Sequence, residues 1–452
     1  MKLKALVGVL AVAGLAMPGI ASATNGYFSH GYGMTAKGMG GAATAMAKDA
    51  MGGANNPASM AFVGDRLDVG IDWFSPKRSA NRTASLGNAN NGDYESSSND
   101  FLVPEFGYNM MLGEKMSLGI SVYGNGGMNT DYQGAQLSTQ NCGFPGGVAA
   151  KTQNLLCGSG KLGMNLEQLI VAPTFAYKVN ASNSIGVSPL FVYQRFSADG
   201  LDAFGGLSSD ATRLSNKGHD SSTGWGVRLG WQGKVTDTVT LGATYSPKID
   251  MSNFKRYEGL FAEQGDFDIP MNWNLGVAFK ATPDITIALD YQHIDYSGVK
   301  SVANSGVSVI GTPGTAPCAP APFGSGTNVG DARCMGGNAG LGFGWSDVDV
   351  VKLGVEYKYN DALTLRAGIN HGDNPVKSGE QTFNIIAPGV VTDHYTLGAT
   401  YGVTKDSEVT VAYMHAQEKS VSGPTNPNFP VGGTETIKMY QNSLGIAYGM
   451  KF

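Results

Sequence analysis

The last residues of the chain, Asn442-Ser-Leu-Gly-Ile-Ala-Tyr-Gly-Met-Lys-Phe452, decide the fold class. Apolar residues occupy every second position from Leu444 to Phe452, so one face of an extended strand would be apolar and the other small or polar. Strands of outer-membrane β-barrels alternate in this way, with the apolar face toward lipid. A strand that runs to a terminal Phe is how such barrel chains typically end. This segment therefore predicts a transmembrane β-barrel.

The same alternation recurs along the chain and predicts fourteen antiparallel strands, so the fold class is all-β. The predicted strands lie at 65–77, 99–112, 115–124, 165–179, 184–198, 222–234, 238–250, 266–281, 285–297, 347–359, 363–371, 391–402, 407–419 and 436–452. Their connections alternate between short turns and long loops, which is the pattern of an outer-membrane barrel. In hydrocarbon every backbone N–H and C=O must be paired, so the sheet has to close on itself.

Charged residues interrupt several of these strands on the face opposite to the apolar residues. In a closed barrel this face lines the lumen, where polar side chains avoid lipid. The predicted lumen residues are Asp72, Arg228, Asp290, Lys352, Glu356 and Arg366.

Composition excludes several other classes of protein. The chain has 65 Gly among 452 residues and only 15% charged residues, whereas soluble domains average about 7% and about 25%. With 42% hydrophobic residues it is not disordered, and no apolar stretch after residue 23 is long enough for a membrane-spanning helix. The net charge of −5, without clustered Lys or Arg, argues against nucleic-acid binding.

The N-terminus predicts export. Lys2 and Lys4 precede a short apolar run from Ala5 to Leu15, and Ala21-Ser22-Ala23 is a small-residue cleavage site. This pattern is typical of a signal peptide over residues 1–23. Together with the barrel pattern, it places the protein in the outer membrane of a Gram-negative cell.

The four cysteines fit an oxidising compartment. Cys142 and Cys157 lie in one Gly/Pro-rich stretch, and Cys318 and Cys334 lie in another. We expect one local disulfide in each stretch. A zinc site is disfavoured because the chain has no C-x-x-C motif and no His nearby at ligand spacing.

Residues 24–64 do not alternate and precede the predicted barrel, which spans 65–452. The segment is rich in Ala, Gly and Met and is too small to hold a core of its own. We expect it to pack in the lumen as a plug, with short helices between Thr35 and Ala50. Pro57 is expected to end any helix before it.

Several stretches of the sequence, beginning with the plug segment, resemble a known family. The plug segment is similar to the N-terminal hatch of the FadL family, outer-membrane channels for long-chain fatty acids and other hydrophobic compounds. The stretches that carry the resemblance are Gly38-Met-Gly-Gly-Ala-Ala43, Ala47-Lys-Asp-Ala50, Asn56-Pro57-Ala58, Val192-Tyr-Gln-Arg195, Gly242 to Asp250, Phe383 to Val390 and Asp393-His-Tyr395. It extends over essentially the whole chain after the signal peptide.

The resemblance implies a transport mechanism. Family members have a fourteen-stranded barrel closed by the hatch, and a kink in the third strand opens a gap in the wall through which ligand leaves sideways. In this sequence Gly124, Asn125, Gly126 and Gly127 stand where the kink belongs, at the end of the predicted third strand. Glycines also favour a bulge, although an ordinary strand end is the alternative. By resemblance, Asn56 is expected to contact this kink.

The resemblance also suggests ligand-binding residues. Tyr27 and Phe28 would line a deep pocket, with simple packing of the plug as the alternative. Arg195 matches a family position where an arginine meets the carboxylate of a fatty acid, with a salt bridge in the lumen as the alternative. Ser346 stands where fatty-acid transporters often have Lys, which leaves neutral hydrocarbons open as substrates.

A groove among the outer loops would receive the ligand first. Phe204 and Leu207 are the leading candidates, and local packing is the alternative for both. Other candidates are Leu155, Leu156, Leu162 and Leu214. The expected partners are a hydrophobic small molecule, membrane lipid and lipopolysaccharide, and the barrel is expected to be a monomer.

Two other functions remain as alternatives. A general diffusion porin for small polar solutes would share the barrel but lack the plug. A barrel hydrolase with His293 and a serine is disfavoured because the chain has no G-x-S-x-G motif and its six His are scattered without metal spacing. We therefore expect no enzyme activity, no cofactor and no metal.

Overall fold

The computed structural model of the chain describes residues 25–46, 48–85, 91–134, 153–307, 332–426 and 432–452. The predicted signal peptide, residues 1–23, lies outside the described residues, as do Cys142 and Cys318.

Strands make up most of the described chain. They are β1 (Arg66–Thr83), β2 (Gly92–Glu95), β3 (Phe101–Leu112), β4 (Met116–Tyr132), β5 (Leu162–Lys178), β6 (Asn183–Asp199), β7 (Asp220–Lys234), β8 (Val239–Ser246), β9 (Asn272–Lys280), β10 (Ile285–Ile294), β11 (Val348–Lys358), β12 (Leu363–Gly372), β13 (Asp393–Gly402), β14 (Ser407–Pro424) and β15 (Thr434–Lys451).

Fourteen of these strands close a barrel, which confirms the predicted fold. Each strand pairs antiparallel with its neighbours, and β15 returns to β1 along its whole length, from Arg66 opposite Lys451 to Thr83 opposite Thr434. The extra strand, β2, pairs only with the end of β1 and is not one of the strands that close the barrel. Closure pairs the first and last strands, so the cylinder has no free outer edge, as a wall in hydrocarbon requires.

The connections alternate as predicted. Short turns join β3 to β4 and every second pair after it, and long loops lie at the opposite end of the barrel. We call these the turn end and the loop end.

Several strands extend further toward the loop end than the sequence pattern predicts. β1 continues to Thr83 and β4 continues to Tyr132, so Gly124 to Gly127 lie inside β4 rather than at its end. The prediction stopped early because glycines and a shift of register break the alternation in β4. The second half of this strand therefore forms part of the wall.

The two faces of the wall differ in polarity. Large apolar side chains such as Trp73, Phe191 and Leu397 point outward and remain 44%, 55% and 61% exposed. The predicted lumen residues all point inward and are buried. They are Asp72, Arg228, Asp290, Lys352, Glu356 and Arg366. The outward face is suited to lipid and the inward face to polar contacts.

The helices are short and lie before β1 or in the loops. They are Met34–Lys37, Met60–Val63, Ala262–Gly265, Lys300–Ala303 and Gln381–Asn384, with single 3-10 turns at Pro57–Ser59, Asp202–Leu207, Ala211–Arg213, Lys255–Tyr257 and Tyr296–Gly298. In the described residues, no helix is long and apolar enough to cross a membrane.

Candidate functional site

The segment before β1, residues 25–64, fills the interior of the barrel, and we call it the hatch. Its polar groups contact strands on different sides of the wall. Lys37 lies 2.6 Å from the carboxylate of Asp72, and both groups are almost fully buried. The carboxylate of Asp290 accepts hydrogen bonds of 2.8 Å from the backbone N–H groups of Ala43 and Thr44. The charged residues that the sequence places in the lumen therefore hold the hatch.

Small residues allow the hatch to approach the wall closely. Gly41 has a positive φ of 86°, and a Cβ at this position would lie 1.7 Å from the carbonyl oxygen of His30. On the wall, a Cβ at Gly242 would lie 2.1 Å from the carbonyl oxygen of Thr44. A larger residue at either position would force the backbones apart, which explains part of the high glycine content.

The Asn56-Pro57-Ala58 motif anchors the hatch at a place that the sequence did not predict. The Asn56 side chain donates to the carbonyl oxygens of Thr44 and of Trp231 in β7, at 2.7 and 2.9 Å, and its own oxygen accepts from the Ala58 N–H. These bonds tie Asn56 to the hatch itself and to β7, and the expected contact with residues 124–127 stays a prediction. Pro57 ends no helix but opens a 3-10 turn, since proline suits the first position of such a turn.

An aromatic cluster surrounds the start of the hatch. Tyr27 and Phe28 are buried, and the Tyr27 ring lies 5.3 Å from that of Tyr296 and 6.1 Å from those of Phe267 and Trp345. The Tyr296 hydroxyl accepts from the Tyr27 N–H at 3.0 Å. Nothing in the sequence marked Phe267 or Tyr296 as members of this cluster. Phe267 lies in the loop before β9 and Tyr296 in the loop after β10, and neither belongs to a motif.

Next to this cluster, the hatch docks on a bulge in β4. The register between β4 and β5 shifts between Gly124 and Gly126, so Asn125 has no partner in the ladder. The Asn125 carbonyl oxygen accepts a hydrogen bond from the Ser29 N–H, and the Tyr27 carbonyl oxygen accepts one from the Gly127 N–H, each at 3.2 Å. The start of the hatch thus runs beside β4 like a short additional strand.

On the side that faces β3, the same part of β4 has lost its strand neighbour, and the start of the hatch lies there instead, through the bridge between Phe28 and Gly126. The ladder between β3 and β4 runs from Leu112 opposite Met116 to Phe106 opposite Val122. Beyond it, and within the described residues, no ladder pair joins residues 101–105 of β3 to residues 123–130 of β4. Toward the loop end, the Ser97 N–H donates to the Asp131 carbonyl oxygen at 2.8 Å. We call the stretch between these two contacts the unpaired wall.

Burial also sets the charge of groups in the hatch. The pKa of His30 lies well below its usual value because the ring is buried, and His394 lies parallel to it at 6.2 Å. Burial raises the pKa of Asp49 to about 6, and the neighbouring Asp68 carboxylate adds to this effect. The imidazole of His30 is therefore neutral at pH 7.

Comparison with known proteins assigns the fold and its hatch to a family. A family model described as "Outer membrane protein transport protein (OMPP1/FadL/TodX)" matches residues 21–451. The chain belongs to the FadL family.

Solved structures of similar fold include other members of the family. The Pseudomonas putida toluene transporter TodX aligns with a TM-score of 0.65 and 19% identity, covering 95% of this chain and 100% of that one. A Pseudomonas aeruginosa FadL homologue aligns with a TM-score of 0.66 and 14% identity, over 94% and 100%. The Ralstonia pickettii toluene transporter TbuX aligns with a TM-score of 0.60 and 17% identity, covering 94% of this chain and 99% of that one. At these identities the likeness concerns the fold.

Curated relatives match over a short region. The long-chain fatty acid transport protein of Escherichia coli K12 is 34% identical over 84 residues, which is 18% of each chain. That of Salmonella typhi is 34% identical over the same length, 18% of this chain and 19% of the relative. The chain thus matches less than a fifth of the length of these relatives.

In this FadL-family barrel, Arg195 forms an ion pair on the outer side of the wall. Along β6 it shares a face with Phe191 and Tyr193, which point outward, and its guanidinium lies 3.8 Å from the carboxylate of Glu167. The alternative, a salt bridge inside the lumen, is therefore wrong for Arg195. Its contact with the carboxylate of a fatty acid stays a prediction.

The candidates for an outer groove lie together at the loop end. Phe204 is buried, with its ring 6.2 Å from that of Phe383, and Leu207 packs half-buried on the same apolar cluster. Leu155, Leu156, Leu162 and Leu214 belong to this cluster as well. Their role in receiving a ligand stays a prediction.

The cysteines are consistent with an oxidised protein. Cys157 and Cys334 are disulfide-bonded, and no described cysteine is free. Because Cys142 and Cys318 lie outside the described residues, the pairings Cys142–Cys157 and Cys318–Cys334 stay predictions.

Histidines form no metal site in the part of the chain that the structure describes. The Asp349 carboxylate accepts a hydrogen bond from the His293 ring at 2.7 Å, at an exposed position where β10 pairs with β11. The matched family and the solved relatives are transporters or channels, and none is described as an enzyme.

Proposed function

We propose that this protein carries hydrophobic compounds across the outer membrane of a Gram-negative cell and releases them sideways through the unpaired wall. The observation that carries the proposal is the coincidence of three features at one height of the barrel. These are the bulge at Asn125, the loss of the ladder between β3 and β4, and the docked start of the hatch. A pore that conducts solutes along its axis would need none of these features.

The proposed route begins at the loop end. A hydrophobic compound first binds among the apolar loop residues, with Phe204 and Leu207 at the entrance. It then displaces Tyr27 and Phe28 from the aromatic cluster and occupies their place. The hydrogen bonds that hold this part of the hatch to β4 are few and, at 3.2 Å, not short, which favours such a displacement.

The hydrophobic effect favours a lateral exit over an axial one. Each buried CH₂ group contributes about 0.8 kcal/mol, so a ten-carbon chain would lose roughly 8 kcal/mol in a watery passage. The axial way is also filled by the hatch, with buried ion pairs such as Lys37 with Asp72. Transfer from an apolar pocket into lipid avoids both costs and needs no energy source.

The names of the relatives suggest the substrate class. The Escherichia coli relative is named for long-chain fatty acids, and two of the solved relatives are named for toluene. We propose fatty acids or aromatic and aliphatic hydrocarbons as substrates, taken up by a monomer surrounded by lipopolysaccharide and phospholipid.

A paired transport and conductance measurement tests this function. Cells that lack other hydrophobic transporters should take up labelled dodecanoate or toluene faster when they produce the full chain. The purified protein in a planar bilayer should show no large, steady conductance, because the hatch occupies the lumen. A large, steady conductance without uptake of either compound would contradict the proposal and favour a general diffusion porin.

A further inference from the structure

One buried cation beside the unpaired wall, Arg78, forms no salt bridge with any described residue, and the carboxylate of the exposed Asp100 acts on it only from beyond contact distance. Arg78 points inward from β1 and is 5% exposed. Its Nε and Nη2 atoms are buried without a hydrogen-bond partner. The guanidinium instead lies over the ring of Phe101, at 5.9 Å. A cation–π contact compensates only partly for a guanidinium removed from water.

Arg82 lies four residues further along the same face and, unlike Arg78, is a buried arginine with partners inside the protein. Its Nε and Nη2 atoms both donate to Glu435, at 3.0 and 2.5 Å, and Nη2 also donates to the Leu155 carbonyl oxygen. The strand therefore carries one arginine that is paired within the protein and one that is not. An unpaired buried cation is expensive to retain for structure alone, which points to an external anion.

A small cavity lies against Arg78. It has a volume of about 20 Å³ and is lined by Phe74, Gly127, Met128 and Pro388, with Gly26 of the hatch. About 10–15 Å³ holds one water, so the cavity can accept a small polar group but not a whole hydrocarbon chain. Gly127 and Met128 belong to the unpaired wall, so a chain attached to that polar group could continue there.

A second polar group acts on Arg78 from outside the residues that line the cavity. The hydroxyl of Tyr132, on β4, is buried without a hydrogen-bond partner in the described residues and interacts electrostatically with Arg78. A hydroxyl donor and a guanidinium fork together suit a group with two acceptor oxygens.

From these contacts we propose that Arg78 and Tyr132 bind the carboxylate of a single-chain carboxylic acid while its tail enters the unpaired wall. The site would be the last binding position before the acid passes into the membrane. This inference rests on the proposed lateral release and narrows the substrate class to amphiphilic carboxylates. It assigns the carboxylate to a residue of β1 rather than to Arg195.

Equilibrium binding of a matched acid and alcohol tests the site. The full chain in nanodiscs of zwitterionic lipid is titrated with labelled dodecanoate and with labelled dodecanol, and empty nanodiscs are subtracted. The wild type should bind dodecanoate at least about tenfold more tightly than dodecanol, as expected for charge-assisted hydrogen bonds. Arg78→Gln should remove this preference and leave dodecanol binding within about twofold, since the alcohol makes no charge-assisted bond. Lys77→Gln, which removes a cation on the opposite face, is the matched control and should change neither affinity.

Several results would overturn the proposal. One is a wild type that does not distinguish acid from alcohol, and another is an Arg78→Gln variant that weakens both equally, which would indicate packing alone. If Arg78→Gln does not assemble, Arg78→Lys decides, because loss of the planar fork should reduce the preference and an unchanged preference refutes the site. Absence of binding of both compounds would instead refute the proposed uptake, and this site with it.

Discussion

Deleting Asn125 should abolish uptake of hydrophobic compounds while leaving the barrel assembled. Gly124 lies opposite Leu169 and Gly126 lies opposite Gln168, so the deletion removes the bulge without changing the partner of any other residue. A regular β4 would lie closer to β3, and the carbonyl oxygen that holds Ser29 would be lost. We expect uptake of labelled dodecanoate to fall at least about tenfold, which corresponds to roughly 1.4 kcal/mol.

The substitution Asn125→Ala is the matched control for this deletion. It keeps the additional residue and its carbonyl oxygen, and loses only the side-chain hydrogen bonds with Gln168, at 2.9 Å, and with the Tyr32 hydroxyl, at 3.0 Å. Its uptake should therefore stay close to that of the wild type. Heat-modifiable migration in gels shows whether each variant has a folded barrel. Wild-type uptake by a folded deletion variant would mean that the exit lies elsewhere.

Removing residues 27–36 should also reduce uptake to background. This deletion takes away Tyr27 and Phe28 and the contacts with the bulge, and so removes the deep pocket. The barrel should remain as stable to heat as the wild type, because its closure depends on the β1–β15 ladder and Lys37 still reaches Asp72. Uptake of labelled dodecanoate and the unfolding temperature in detergent measure the two effects separately.

Tyr27→Phe is a control that keeps the ring in place. It removes only the hydroxyl, whose bond to the Asp268 carbonyl oxygen is long at 3.4 Å. We expect this variant to transport normally. If the deletion variant transports as well as the wild type, the aromatic cluster is not on the route.

Much of the wall could be predicted from the sequence because two physical constraints act on every strand. Lipid demands apolar side chains on one face, and the lumen demands the opposite, so strands such as β15 and β11 are evident from alternation. The prediction of strand ends failed where a strand does not have one face toward lipid and the other toward the lumen. In β4 beyond Tyr123 the bulge shifts the alternation by one residue, and all residues from 123 to 130 are buried.

The site was less predictable because it is built from contacts that are distant in sequence. Tyr27 and Phe28 were expected in the pocket region, but their partners Tyr296 and Trp345 lie more than 260 residues away in loops without periodicity. The unpaired wall is defined by missing hydrogen bonds between β3 and β4, and the glycines of β4 indicated a bulge but not how far the pairing would be lost. Arg78 carried no signal either, because only the structure reveals that Arg82 has a carboxylate partner and Arg78 has none.

Photolabelling with a diazirine-bearing fatty acid tests lateral release most directly. The probe is added to the full chain in outer-membrane vesicles, light is applied during uptake, and labelled residues are mapped by mass spectrometry. We predict labels on both edges of the unpaired wall, at residues 101–105 and 123–130. Labels at the turn end of the lumen instead, around Arg66 and Glu408, would show that the fatty acid leaves along the axis and would contradict lateral release.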